Sequence, residues 1–207
     1  MGRLLLVRHG ETAWNAEGRL QGSEDISLSE EGRRQARLIG DRLADRSIDV
    51  AFSSDQSRAR ETAQHILEGR DVVLNPIPEL RERSHGVFEG LTVRERKDQY
   101  PELFAASLVK NLDFAPDGGE TFRVTNLRMA GWAHDFLQKH LKETVLVVGH
   151  GGSLRGAIIA WMGFPDESTW RFMLANCGLS IIDTYADNAV LRLFNDISHL
   201  GGFEPES

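Results

Sequence analysis

Leu4-Leu5-Leu6-Val7-Arg8-His9-Gly10-Glu11-Thr12 and, far downstream, Thr144-Val145-Leu146-Val147-Val148-Gly149-His150-Gly151-Gly152 are the two stretches that decide the fold. Each opens as a short continuous apolar run, the pattern of a strand buried on both faces. Each then turns abruptly polar, with a histidine beside glycine and, in the first, an arginine. Between and beyond them, Asp49–Ser54, Val72–Leu74, Leu179–Tyr185 and Val190–Phe194 read as further strands, the last two around a turn at Asp187-Asn188. Helices are expected after Ser27-Leu28-Ser29-Glu30-Glu31, where a hydroxyl cap precedes first-turn acids, and along Ala59, Ala63, Ile66 and Leu67. A longer helix is expected over 122–141, with Ala130, Ala133 and Leu137 inward, and another after Gly151. Arg81–Gly119 is irregular and charged, and reads as a loop with short helices.

Strands alternating with helices imply an α/β protein: a three-layer α/β/α sandwich on a mostly parallel sheet. In such sheets ligands sit at the carboxyl ends of strands. Both polar clusters follow a strand, so both are expected to face one crevice.

The composition narrows the function classes. With 31 Asp and Glu against 24 Lys and Arg the net charge is −7, which argues against nucleic-acid and anionic-membrane partners, since both recruit cations. A local arginine cluster can still hold a small anion. The single cysteine, Cys177, cannot form an internal disulfide, and the four apolar residues before Arg8 are too few for a signal peptide. A cytoplasmic location is expected, with residues 1–207 as one domain, a substrate-side insertion near 95–125 and a frayed tail over 199–207.

Arginines at strand ends suit phosphate oxygens, because the planar guanidinium donates two parallel charge-assisted hydrogen bonds. A helix start at Gly151-Gly152 adds free backbone N–H groups. A histidine among such cations has its pKa pushed down and stays neutral and nucleophilic. Taken singly, an Arg-His-Gly tripeptide is common, and Arg58 reads as a solvated helix residue. Other phosphoryl chemistries lack their residues: Cys177 has Asp183, not arginine, six positions on, and no nucleotide-phosphate loop or zinc pattern occurs. Neither metal nor cofactor is expected.

The ordered set of motifs resembles the histidine phosphatase superfamily, which contains the cofactor-dependent phosphoglycerate mutases. It runs through Leu6–Thr12 with Asn15, Gln21-Gly22, Asp25, Leu28-Ser29, Gly32 and Ser53-Ser54 with Arg58-Ala59 and Thr62-Ala63. It continues through Leu80-Arg81-Glu82, Gly86, Glu89-Gly90, Gly118–Thr121 and Val147–Gly152. The resemblance implies a phosphoglycerate mutase-like fold and a metal-independent phosphatase acting on small phosphate monoesters. It implies His9 as the residue phosphorylated, and Glu82 as general acid and then base. Arg8, Arg58 and His150 would form the phosphate pocket, with Asn15, Gln21, Gly22 and Gly151 lining it.

Within that family, a mutase needs extra cations for a second phosphate. The stretch Tyr100–Glu120 carries Lys110 alone among four acids, and Glu82-Arg83-Ser84-His85-Gly86 has His85 where the mutase pattern has tyrosine. These favour the phosphatase, with the bisphosphoglycerate-dependent mutase as the alternative. Glu82 is subject to opposed effects: arginines lower its pKa, while burial, with Phe88 as a candidate wall, and a bound phosphate raise it. The substrate stays open among phosphoglycerate-type acids, phosphoserine, ribazole phosphate, sugar phosphates and broad-range monoesters. Phe104, Leu108, Leu112 and Phe114 read equally as a lid or a packing face. A homodimer is left open, with Trp170 and Phe172 as contact candidates against a simpler reading as core.

Overall fold

The structure, a computed structural model, describes residues 1–201, the side chains of 137 and 138 apart. In chain order it contains β1 (Gly2–Arg8), α1 (Ala13–Ala16), α2 (Glu30–Arg42), β2 (Val50–Ser54), α3 (Ser57–Ile66) and β3 (Leu74–Ile77). Then follow α4 (Val93–Gln99), α5 (Pro101–Ser107), α6 (Phe122–His140), β4 (Thr144–Gly149), α7 (Gly151–Met162), β5 (Leu179–Thr184) and β6 (Ala189–Asp196).

The strands form one sheet in the order β3-β2-β4-β1-β5-β6. β1, β2, β3 and β4 are mutually parallel, and β5 runs against both β1 and β6. The sheet is therefore mostly parallel, as its apolar central runs require. Alternation along β1 divides the core: Leu5 and Val7 pack with Ala36, Ile39, Ala59 and Ala63 of α2 and α3, whereas Leu4 and Leu6 pack with Met129, Ala133, Leu154 and Ala157 of α6 and α7. Successive strand residues point to opposite faces, so one four-residue run serves both layers and the sandwich has three.

Three expectations need correction. β3 lies at 74–77, not 72–74. As an edge strand it tolerates Asn75 and Pro76, since a proline on a free edge forfeits no ladder bond. The inner face of α6 is Met129, Ala133 and Phe136, while Ala130 is exposed; Leu137 lies outside the described side chains. The tail is not frayed throughout. Ser198–Leu200 make a 3₁₀ turn with Leu200 packed against the α2–α3 core; residues 202–207 lie outside the described residues.

The charged stretch after β3 behaves as a loop with short helices. Leu112 is buried and Leu108 exposed, so these two residues do not share one face. Phe172 lies between Phe164 and Phe194, and Trp170 meets Phe122 edge to face. Among the described residues no helix is long and apolar enough to cross a membrane.

Candidate active site

Register brings the two histidine clusters together. β1 and β4 are direct neighbours with Arg8 opposite Gly149, and the His9 N–H continues the ladder to Gly149 O at 2.9 Å. The His9 and His150 rings, 141 positions apart in sequence, lie with centroids 5.0 Å apart. Both are nearly or wholly buried, at 3% and 0% exposure.

Their hydrogen bonds fix which nitrogen is which. His9 Nδ1 lies 2.7 Å from Gly10 O. A carbonyl only accepts, so Nδ1 carries the hydrogen and Nε2 keeps a lone pair. His150 is the reverse: Nδ1 accepts from Arg58 Nε at 3.2 Å, which leaves the hydrogen on Nε2, a buried donor with no partner. Burial first, then the Arg58 charge, holds both imidazoles well below their usual pKa, with Arg8 adding to the effect. Both are neutral at physiological pH.

Arg58 is wholly buried one residue into α3. It donates from Nη1 to Glu24 O at 2.7 Å and from Nη2 to Gly22 O at 2.8 Å, and burial lowers its pKa to about 10. Arg8 Nη1 donates to Leu174 O at 2.6 Å, and its buried Nε has no partner. Arg8 Nε and His150 Nε2 are thus unused donors in a region that burial makes costly for unpaired polar groups, and an anion's oxygens would satisfy them.

Glu82 follows the 3₁₀ turn at 78–80. Its Oε2 accepts from Gly152 N–H at 2.9 Å and its Oε1 from Arg83 N–H at 2.8 Å. Burial works to raise this carboxyl, but the two backbone donors, with His85 and Arg155 behind them, bring it below the ordinary value. Hydrogen bonds to the charged form decide the outcome. Phe88 is not shown as the apolar wall: its ring meets Tyr100 and lies under Arg96.

A cavity of about 110 Å³ is lined by Arg8, His9, Asn15, Gln21, Gly22, Arg58 and Glu82, together with Arg19, Leu20 and His85. His150 touches it through Arg58 and His9, and a Cβ on Gly151 would lie 3.8 Å from Glu82 Oε2 and 3.9 Å from Arg8 Nε. All the residues singled out from the sequence therefore meet at one place. Asn15 has a second task, accepting from Thr12 N–H at 3.1 Å as it caps α1. Gly22 has φ 74°, a left-handed conformation that favours glycine.

Several neighbours carried no sequence signal. Asn176 Nδ2 donates to His9 O at 2.9 Å, and Thr62 Oγ1 accepts from Gly10 N–H at 3.0 Å. Gln56 and Glu89 grip the loop at 22–24. His85 lies in the cavity wall beside Arg83 Nη2 at 3.0 Å, and burial together with that guanidinium pushes it down to about 4.

The sequence profile of the histidine phosphatase superfamily (branch 1) matches residues 4–197, and the chain belongs to that family. It is 32% identical over 207 residues to phosphoserine phosphatase 1 of Hydrogenobacter thermophilus, covering all of this chain and 98% of that one. It is 33% identical to the 2,3-bisphosphoglycerate-dependent phosphoglycerate mutase of Bartonella henselae over 91% of this chain and 94% of the relative. Among solved structures, Bacillus stearothermophilus YhfR superposes with a TM-score of 0.88 at 31% identity, covering 97% of this chain and all of that one.

Proposed function

We propose that the chain hydrolyses phosphoserine and similar small phosphate monoesters by way of a phosphorylated His9. It is a metal-independent phosphatase of its superfamily. The observation that carries the mechanism is the tautomer pair: a neutral His9 with its lone pair on Nε2, beside a neutral His150 whose Nε2–H has no partner. The first is a nucleophile, the second a donor for the anion it attacks.

His9 Nε2 attacks phosphorus, the P–O ester bond breaks, and Glu82 gives its proton to the leaving oxygen. Gly10 O, accepting from Nδ1–H, supports the positive charge that develops on the ring. Water then attacks the phosphohistidine, the P–N bond breaks, and Glu82 takes the water's proton. Arg8, Arg58 and His150 hold the equatorial oxygens, with Asn15, Gln21, Gly22 and the backbone at Gly151 around them; positioning and charge dominate phosphoryl transfer. Glu82 is ionised in the free protein, so the arriving phosphate dianion must raise it by like-charge repulsion before it serves as an acid.

The outer wall supports hydrolysis over mutase chemistry. Arg19 is paired with Glu17 and Glu95, and Arg83 donates to Glu120 O while stacking on Phe122. Lys110 lines a different cavity, with Glu167, Trp170 and Arg171. These cations are committed elsewhere and do not gather for a second phosphate. The phosphoserine-like substrate class rests on the name of the Hydrogenobacter relative. A cytoplasmic setting completes the reading, supported by the one buried thiol, Cys177.

Phosphate release from a monoester panel in excess chelator tests this. The panel holds phosphoserine, sugar phosphates and 3-phosphoglycerate with and without 2,3-bisphosphoglycerate. Chelator-resistant release led by phosphoserine is expected. Bisphosphate-dependent formation of 2-phosphoglycerate with little free phosphate would make the chain a mutase.

A further inference from the structure

We propose that Gln56 is a positioning residue that ties the phosphate-binding arginine to the loop of the proton donor. It sits at the start of α3, two positions before Arg58, and is only 5% exposed. Its Oε1 accepts from Arg58 Nη2 at 3.2 Å and from the Glu82 backbone N–H at 3.3 Å. Its Nε2 donates to Gly22 O at 3.1 Å and Ser23 O at 3.0 Å. A primary amide has two donor hydrogens and an oxygen with two lone pairs, and here all of them are used. The orientation is settled by the partners. Reversed, the amide would set its oxygen against two carbonyls and its nitrogen against two N–H donors.

The three segments so joined are the parts the reaction needs in register. Gly22 O also holds Arg58 Nη2, so Gln56 and Arg58 share an acceptor as well as bonding each other. Glu82 belongs to a loop after β3, and its main chain meets α3 through this amide. A side chain that contacts no reacting atom can thereby set the distance between the cations on the phosphate and the carboxyl behind the leaving oxygen. A misplacement of about 1 Å at such a point can cost roughly 10²-fold in rate.

The inference rests on the roles given above to Arg58 and Glu82, and the test separates them. Wild type, Gln56→Met and Glu82→Gln are compared on phosphoserine, on an aryl phosphate with an activated leaving group, and for inhibition by orthovanadate. Gln56→Met should weaken vanadate inhibition about tenfold, the size of one lost hydrogen bond to a charged group. It should also lower kcat/KM on phosphoserine at least about fivefold more than on the aryl ester, because proton delivery matters most for poor leaving groups. Unchanged vanadate inhibition and equal losses on both esters, whatever happens to Tm, would reduce Gln56 to a structural residue and overturn the proposal. If Glu82→Gln discriminates between the esters and Gln56→Met does not, the proposal fails while the role of Glu82 stands. If Glu82→Gln does not discriminate, the acid assignment fails, and vanadate alone decides the link to Arg58. Should Gln56→Met not fold, Gln56→Glu keeps the oxygen facing Arg58 and sets a second acceptor against Gly22 O and Ser23 O. Vanadate inhibition should then shift about fivefold or more, and no shift overturns the proposal.

Discussion

Glu82 Oε2 lies 2.9 Å from the backbone nitrogen of Gly152, the second residue of α7. The helix that His150 precedes thus offers one of its first free N–H groups to the carboxyl proposed as acid, so the two halves of the chemistry share a helix terminus. The contact needs glycine. A Cβ at position 152 would collide with the Glu82 carboxylate.

Gly152→Ala is therefore expected to displace Glu82 while sparing the helix, since alanine is the better helix former. Activity on phosphoserine should fall roughly 10²-fold, in line with a shift of about 1 Å in a catalytic group. Tm should change by only a few degrees. Steady-state kinetics beside a thermal melt will show it; parallel collapse of both would mean that the glycine serves folding alone.

His9→Ala removes the proposed nucleophile and should lower kcat by at least about 10³-fold. The fold should persist, because the strand that carries residue 9 is held by its β4 and β5 neighbours. Circular dichroism establishes the fold, and acid-quenched protein from labelled substrate should carry base-stable, acid-labile phosphate in the wild type only. Undiminished turnover would remove His9 from the reaction.

The parts of this site that the sequence makes legible are those with a periodic or positional cause. Leu4–Val7 and Val145–Val148 had to be apolar throughout because the strands are covered on both faces, so His9 and His150 stood out where the apolar runs stop. β3 was displaced because an edge strand needs no such run, and Val72-Val73 looks more strand-like than Asn75-Pro76. On α6, Ala130 and Met129 differ by one position, about 100° around the helix, and composition alone did not say which faced inward. Gln56 and Glu89 were invisible for another reason. Their partners lie 26 to 34 and up to 66 positions away, and no spacing rule relates a polar side chain to distant carbonyls.

The two buried neutral histidines give the stability a pH dependence of fixed sign. Unfolded, each takes up a proton near pH 6.5; folded, both are held well below that by burial and by Arg58. Their contribution is complete above about 6.5 and is lost as pH falls toward the folded value, because the unfolded chain then binds more protons. His9→Gln should flatten the fall in unfolding free energy between about pH 6.5 and 5, by up to about 1.4 kcal/mol per pH unit for one group. Urea titrations at four pH values decide it. Identical slopes in variant and wild type would show that His9 is protonated in the native state.

Glu89 grips the same loop as Gln56, from the other side. Its carboxylate accepts from Ser23 N–H at 3.0 Å, Ser23 Oγ at 2.8 Å, Glu24 N–H at 3.2 Å and His85 N–H at 2.7 Å. Burial acts to raise its pKa, but the backbone donors Ser23 and His85 outweigh that and lower it. The loop it fixes supplies Gly22 O and Glu24 O to Arg58, so the carboxylate acts on the pocket through backbone. Glu89→Gln presents an amide nitrogen to N–H groups that need an acceptor, and should cost about 1–3 kcal/mol of stability, the penalty for unsatisfied donors. The difference in Tm between wild type and variant should be full at neutral pH. It should shrink as pH falls below the ordinary carboxylate range, because a depressed carboxyl loses its stabilisation on protonation. KM should rise more than kcat falls, since Glu89 shapes the wall and touches no reacting atom. A variant with normal KM and a pH-independent Tm difference would show that the loop holds itself without the clasp.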